Sequence, residues 1–368
     1  MNIVVTGSQG FIGKNLCLML EEKGFKVLRI SKETNKADLR NILKSSDFVF
    51  HLAGINRHSD KDMFKKVNCN YTKFILETLA ECESSSPIMF SSSTQIENNN
   101  IYGNTKLTAE KLIENHGQRN NSAYYIYRFP NVFGKWCKPN YNSFVSTFCH
   151  NIANDKNIDI HDPSSEVSLV YIDDLCNALI GLLEKKSESG IKTVLPEYKS
   201  TVGEIADMIY CFKESRNSLI TEDVGEGLPR ALYSTYLSYI EPENFSYAIP
   251  SYEDERGIFC EMLKTKKSGQ FSFFTARPGI IRGGHYHHTK NEKFLVIKGN
   301  AMFKFENIDT KEIFSLKVDD TNQEIVETIP GWSHEIKNVG DNDLVVMLWA
   351  NEIFNKDSPD TITSKLTF

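Results

Sequence analysis

The chain has 368 residues, with 42 lysines and arginines against 48 aspartates and glutamates, a net charge of -6. That length suits two domains better than one. The acidic balance gives no electrostatic footprint for nucleic acid and no polybasic membrane anchor, so neither is expected as a partner.

The opening Met1-Asn2-Ile3-Val4-Val5-Thr6-Gly7 has no charged segment before an apolar stretch, so no signal peptide is expected. No apolar run reaches the length of a bilayer span, so no membrane insertion is expected. Residues 2–6 form an apolar run ending at glycine and read as a strand. Residues 11–23 have helical periodicity, 25–30 and 47–52 read as strands, and 62–82 as a long helix. Strand 88–91, helix 105–115 and strand 123–127 follow. Alternating strands and helices predict a parallel sheet covered on both faces. Beyond residue 252 short strand-like runs dominate: 271–276, 293–297, 301–305 and 344–349. Glycine, proline, asparagine and aspartate separate them, which predicts an all-β sandwich or barrel. The join begins at Glu241-Pro242-Glu243-Asn244 and ends near Pro250, giving domains 1–243 and 251–368. The eight cysteines are scattered, with no C-x-x-C pair. They read as thiols of a reducing, cytoplasmic compartment.

The first strand runs directly into Thr6-Gly7-Ser8-Gln9-Gly10-Phe11-Ile12-Gly13, and a helix follows. Glycine is needed there because the turn is tight and the backbone must approach a pyrophosphate closely. The helix N-terminus then offers unpaired N–H groups to the phosphates. Gly7, Gln9, Gly10, Phe11, Ile12 and Gly13 are therefore expected to line a dinucleotide. The second strand, Val27-Leu28-Arg29-Ile30-Ser31-Lys32, lacks the terminal acid that binds the ribose of NAD. Arg29 would instead pair with a 2′-phosphate, so NADPH is expected over NADH.

Ser91-Ser92-Ser93 follows a strand, and Tyr102-Gly103-Asn104-Thr105-Lys106 opens a helix soon after. Tyr102 and Lys106 share a helical face. A phenol so placed can donate a proton to a carbonyl oxygen while hydride reaches the carbon. A neighbouring ammonium would lower the phenol pKa and hold the nicotinamide ribose. A serine hydroxyl would position the same carbonyl.

Together these segments resemble the extended short-chain dehydrogenases/reductases, a group acting on nucleotide sugars, over roughly the first 240 residues. His51-Leu52-Ala53-Gly54 resembles the segment that backs the cofactor, and Val67-Asn68 the asparagine segment of the next helix. The resemblance adds Leu52, Ala53, Gly54, Asn68 and Lys106 to the cofactor contacts. It makes Ser93, over Ser91 and Ser92, the carbonyl-orienting serine. Arg128-Phe129-Pro130-Asn131-Val132-Phe133-Gly134 resembles the substrate-binding stretch, and Tyr171-Ile172-Asp173-Asp174 the segment before a late helix. Family dehydratases carry Asp-Glu after that serine position; Thr94-Gln95 stand here, so dehydration is not expected. The short loop through Asn98-Asn99-Asn100 implies a more open pocket.

The second half holds Gly279, His285-Tyr286-His287, Glu292 and Gly299, then Pro330-Gly331-Trp332-Ser333-His334 and Asn338. Histidines at i and i+2 project to one face of a strand. With Glu292 and His334 they offer imidazole and carboxylate to one divalent metal, zinc, iron, nickel or manganese. The first segment matches the cupin motif G(x)5HxH(x)4E(x)6G, and the second resembles its partner motif. His285, His287, Glu292 and His334 are the expected ligands, with zinc preferred. The expected fold is thus a Rossmann-type doubly wound α/β sheet followed by an all-β cupin, or jelly roll.

A reductase fused to a cupin with Gly283-Gly284-His285-Tyr286-His287-His288-Thr289-Lys290 resembles the bifunctional enzymes of capsular-polysaccharide synthesis. The resemblance implies that the cupin epimerises C3 of a UDP-2-acetamido-2,6-dideoxy-4-hexulose. It implies that the reductase then reduces the C4 ketone with NADPH to UDP-2-acetamido-2,6-dideoxy-L-talose, toward UDP-N-acetyl-L-fucosamine. The 4-ketone acidifies the C3 proton, and its reduction afterwards locks the configuration. A base among His285, His287 and His288 and an acid among Lys290, Lys293 and Tyr286 are candidates for the proton transfers. A homodimer is implied. The alternatives are a reductase whose cupin only dimerises or binds sugar, and a redox-neutral epimerase holding NAD.

Overall fold

The computed structural model describes residues 1–98, 100–184, 187–249, 251–254, 257–260, 263–265, 269–352 and 357–367. Asn99 of the short loop and Pro250 of the expected join lie outside the described residues. Two compact units emerge. One comprises Met1–Phe133, Tyr141–Ser143 and Val167–Lys199; the other comprises Gly134–Asn140, Phe144–Glu166 and Ser200–Phe368. Residues 200–243, expected with the reductase, cluster with the C-terminal strands.

The first unit is built on β1 (Asn2–Thr6), α1 (Phe11–Glu22), β2 (Lys26–Ile30), α2 (Lys36–Lys44) and β3 (Phe48–His51). It continues with α3 (Tyr71–Glu81), β4 (Ile88–Ser93), α4 (Ile101–Asn120), β5 (Tyr124–Phe129) and β6 (Gly190–Lys192). The sheet order is β2-β1-β3-β4-β5-β6, with every pairing parallel. Strands covered on both faces are apolar throughout, and every residue of β3 and β4 is buried. Val4, Val49, Ile88, Phe90 and Ile126 of the sheet pack with Ile75, Leu79, Ala109 and Ile113 of the helices. The chain steps from β1 out to β2 and returns to β3 on the other side. The crevice outside the carboxyl ends of β1 and β3 is where such sheets bind ligands.

The expected helix over 62–82 is interrupted. A turn at Asp62–Phe64 runs into a π-helical turn, Lys65–Asn70, before α3. α4 starts earlier than the periodicity predicts. Asn100 caps it, its Oδ1 accepting from the Gly103 N–H at 2.7 Å, a contact worth about 1 kcal/mol. The helix ends where Asn121 turns left-handed, at φ 50°.

The second unit holds α5 (Val202–Ser218), α6 (Gly227–Leu237) and β7 (Ser246–Ala248), then β8 (Gln270–Ala276), β9 (Ile281–Tyr286) and β10 (Glu292–Lys298). β11 (Asn300–Asn307), β12 (Ile313–Asp319), β13 (Glu324–Glu327), β14 (Trp332–Asn338), β15 (Leu344–Ala350) and β16 (Ile362–Thr363) follow. Two five-stranded antiparallel sheets form, ordered β7-β13-β10-β15-β8 and β12-β11-β14-β9-β16. Alternation along β11 turns Ala301, Phe303 and Phe305 inward. Phe303 meets Phe294 of the opposite sheet at a ring separation of 5.9 Å, so both sheets share one jelly-roll core. No helix among the described residues is long and apolar enough to cross a membrane.

Candidate functional sites

Three glycines shape the turn after β1. Gly7 takes φ +68°, and a Cβ there would lie 2.9 Å from Ala53 Cα. A Cβ on Gly13 would stand 2.2 Å from the Gly7 carbonyl. Gly10 N–H donates to that carbonyl at 2.9 Å, and a Cβ on Gly10 would stand 3.2 Å from it. Gly10 begins α1 without a side-chain cap, so the first turn is free to receive an anion. A pyrophosphate fits this cradle. Gln9 and Gly10 are exposed, Phe11 and Ile12 half-buried.

A buried relay fixes the opposite wall. Thr72 Oγ1 donates to the Asn68 carbonyl at 2.7 Å, so it can only accept from His51 Nε2, 2.9 Å away. His51 Nδ1 must then accept from Thr6 Oγ1 at 2.8 Å, and Thr6 accepts from the Ala53 N–H at 3.1 Å. Burial, with Lys106 nearby, pushes the His51 pKa down to about 3 and keeps the ring neutral. The relay ties Leu52-Ala53-Gly54 to β1 and to the π turn. Asn68, on that turn, pairs with both backbone groups of Ile55 at 2.9 Å. A Cβ on Gly54 would sit 3.0 Å from Lys106 Nζ and 3.2 Å from Asn68 Oδ1. The structure therefore brings Gly54, Asn68 and Lys106 together.

Ser93 is the side-chain group that acts on the Tyr102 phenol. The other two serines are engaged elsewhere: Ser91 Oγ donates to the His51 carbonyl at 3.3 Å and Ser92 Oγ to Glu110. Lys106 Nζ is buried, donates to the Ser91 carbonyl at 2.7 Å, and lies 4.8 Å from the Phe90 ring centre. The sequence predicts a phenol lowered by this ammonium. In the structure burial dominates and raises the Tyr102 pKa, with the Ser93 side chain opposing it. Arg29 makes a two-pronged ion pair with Glu21 of α1, at 2.8 and 3.2 Å.

Sequence reasoning passes over Glu110. Its buried carboxylate takes a two-pronged contact from Arg128 at 2.8 and 3.1 Å as well as the Ser92 hydroxyl. It lies one turn past Lys106, so it holds the face of α4 that carries Lys106 and Tyr102.

In the second unit His285, His287, Glu292 and His334 offer ligand atoms that all lie within 4.8 Å of one another. β9 and β14 pair His285 with His334 at a bulge, where Gly283 takes φ +93°. Glu292 comes from the facing sheet. Its Oε2 lies 3.2 Å from His287 Nε2 and 3.4 Å from His334 Nε2. His287 Nδ1 meets the Asp360 carbonyl, which can only accept. Nδ1 therefore carries a proton, and Nε2 is turned to the Glu292 carboxylate. Burial, with His334 and His287 beside it, pushes the His285 pKa down to about 3. A neutral imidazole is the metal-binding form. The donor set fits a divalent metal, and its nitrogen-rich character fits zinc.

Of the candidate acids and bases, Lys290 reaches this cluster, with Nζ 3.1 Å from Glu292 Oε1. Lys293 does not. It is buried on the opposite face of β10, ion-paired with Glu327 and donating to Tyr247 Oη at 2.8 Å. Tyr286 alternates away from His285 and His287 and packs edge-on against His288.

Residues 3–195 match the model described as the NAD dependent epimerase/dehydratase family, and residues 252–362 that of the polysaccharide biosynthesis C-terminal domain. A UDP-2-acetamido-2,6-beta-L-arabino-hexul-4-ose reductase of Pseudomonas aeruginosa is 49% identical over 363 residues, 98% of each chain. The crystal structure of the capsular polysaccharide assembling protein CapF from Staphylococcus aureus matches all of both chains, at TM-score 0.67 and 38% identity. MoeE5 in complex with UDP-glucose and NAD shares the fold, at TM-score 0.51 and 20% identity over 57% of this chain and 81% of its own. With both models matched in one chain and a full-length relative at 49% identity, this protein belongs to the NAD-dependent epimerase/dehydratase family, as a CapF-type fusion with a polysaccharide-biosynthesis C-terminal domain.

Proposed function

We propose that this chain reduces the C4 ketone of a UDP-linked 2-acetamido-2,6-dideoxy-hexulose with NADPH, after its cupin has inverted C3. The product would be UDP-2-acetamido-2,6-dideoxy-L-talose, a precursor toward UDP-N-acetyl-L-fucosamine for capsule or O-antigen. The observation that carries the reduction is that Ser93 acts on the Tyr102 phenol, which stands one helical turn from buried Lys106. The name and full-length identity of the Pseudomonas reductase support the substrate class.

Bound NADPH supplies the hydride. Ser93 orients the carbonyl, and the Tyr102 O–H bond breaks as the carbonyl oxygen takes its proton. Burial keeps the phenol protonated at neutral pH, as a proton donor requires. Lys106 holds positive charge beside the ribose site, and Gly7, Gln9, Gly10, Phe11, Ile12, Gly13, Leu52, Ala53, Gly54 and Asn68 line the dinucleotide. Arg29 supports the choice of NADPH. Its ion pair with Glu21 is about half exposed on both sides, and such a pair is worth at most about 1 kcal/mol. A 2′-phosphate can displace it.

In the cupin a divalent metal held by His285, His287, Glu292 and His334 would stabilise negative charge developing beside the ketone. Lys290, at the rim of that cluster, is the best placed proton carrier for C3. The assembly is a homodimer in this reading, and its compartment the cytoplasm.

The test is incubation with the ketosugar in D2O, with and without NADPH, followed by NMR. Tyr102→Phe should slow ketone reduction by at least ~10²-fold and leave deuterium entry at C3 intact. Reduction at the normal rate would overturn the assignment. The relative's name specifies only a reductase, which favours a second reading with a non-catalytic cupin. Absence of deuterium at C3 in the wild-type enzyme would establish that reading.

A further inference from the structure

We infer that Asp360 is a positioning residue for the four-ligand cluster, holding the loop after His287 with its carboxylate and orienting the His287 ring with its main-chain carbonyl. The inference rests on the metal-binding reading of that cluster. Residues 287–291 form the loop joining β9, which carries His285, to β10, which begins with Glu292. Their spacing to the ligands is set from the far end of the chain. Asp360 Oδ2 accepts from Thr289 N at 2.6 Å, Lys290 N at 2.7 Å and Thr289 Oγ1 at 3.1 Å. The His288 N–H lies 2.9 Å from Oδ1 and 3.1 Å from Oδ2. The main-chain oxygen of the same residue receives His287 Nδ1.

Asp360 is itself held in register. β16 pairs with β9, setting Thr363 against His285 and Ile362 against Tyr286. Ser364 N then donates to the Gly284 carbonyl at 2.8 Å. One residue therefore anchors both the loop and the ring. A carbonyl only accepts, so His287 carries its proton on Nδ1 and presents Nε2 to the cluster. This is how an outer residue fixes the tautomer of a metal ligand, and losing such a partner costs about 10–100-fold in affinity.

An asparagine at this position cannot replace the carboxylate. Both oxygens face N–H donors, so its amide nitrogen would meet one of them. Zinc titration of the metal-stripped full-length protein tests the inference, comparing wild type, Asp360→Asn and Thr289→Ala. Asp360→Asn should weaken zinc binding by about 10–100-fold. Thr289→Ala, which removes one donor of the set, should weaken it by a smaller factor. NADPH affinity should stay unchanged in both. Imidazole 15N spectra of the metal-free protein should show one His287 tautomer in wild type and a mixture in Asp360→Asn. If metal-free Asp360→Asn melts earlier but binds zinc as tightly as wild type, the contact is purely structural and the inference falls. If Asp360→Asn does not fold, the Thr289→Ala affinity decides, and an unchanged value overturns the inference. If wild type itself binds no zinc, the metal reading fails and takes this inference with it.

Discussion

Lys106 and Tyr102 lie one helical turn apart, and burial acts on them in opposite directions. It lowers the Lys106 ammonium to about 8, against the pull of Cys69 and Glu110. It raises the Tyr102 phenol from an ordinary value of 10.0. The two titrations are therefore separated, and the lysine comes first. Below about 8 Lys106 is charged; above it that charge is lost. Ketone reduction should then fall as pH rises through about 8, a limb that kcat/KM measured by NADPH oxidation would show. Lys106→Met should be slower by roughly 10²-fold and lack that limb. A limb that persists in the variant would assign the titration to another group. The tyrosine–lysine pair was legible in the sequence because helical spacing alone places both on one face. The partner of Arg29 was not. Glu21 meets it through the packing of α1 on β2, which no local spacing encodes.

The helix that carries this pair is fixed by its own third residue in the series. Tyr102, Lys106 and Glu110 follow one another at single-turn intervals along α4. Glu110 then ties that face to Arg128 of β5 and Ser92 of β4. Removing Arg128 would leave a buried carboxylate with one hydroxyl partner. Such a loss typically costs about 3–5 kcal/mol. Arg128→Met should therefore lower the urea midpoint of the transition reported by the first unit. The double variant Glu110→Gln, Arg128→Met should recover part of the loss, since it leaves no uncompensated charge. Equal midpoints for wild type and Arg128→Met would show that the pair contributes nothing. At this scale the sequence was a good guide to which elements exist and a poorer one to their ends. Asn100 belongs to an asparagine run that reads as a loop, yet its side chain starts α4. The π turn at Lys65–Asn70 is invisible to a search for 3.6-residue periodicity. Asp360 has no signal at all, because its donors lie about seventy residues upstream.

The allegiance of residues 200–249 is decided by contacts made across the second unit. The composition changes near residue 252, where the second family match begins, while residues 200–249 group by contacts with the strands that follow. Strand β10 shows why. Its residue Glu292 faces the ligand cluster, and the next residue, Lys293, faces the other way into a buried ion pair with Glu327. That pair is completed from upstream: Arg216 lies 3.3 Å from Glu327, and Tyr247 Oη 2.8 Å from Lys293. Phe245 is fully buried and stands edge-on to Phe305 and Trp332. Burying one such side chain is worth about 1.5–3 kcal/mol. β7 adds a strand to the sheet through β13. A fragment of residues 251–368 would lose all of these at once and keep a charged pair stripped of two partners. It should be insoluble or melt well below a fragment of residues 200–368, which retains α5, α6, Phe245 and β7. Calorimetry on the two fragments measures the difference. Equal melting temperatures would mean that the upstream residues merely cover a jelly roll already stable without them, and that the linear boundary near 251 is the physical one.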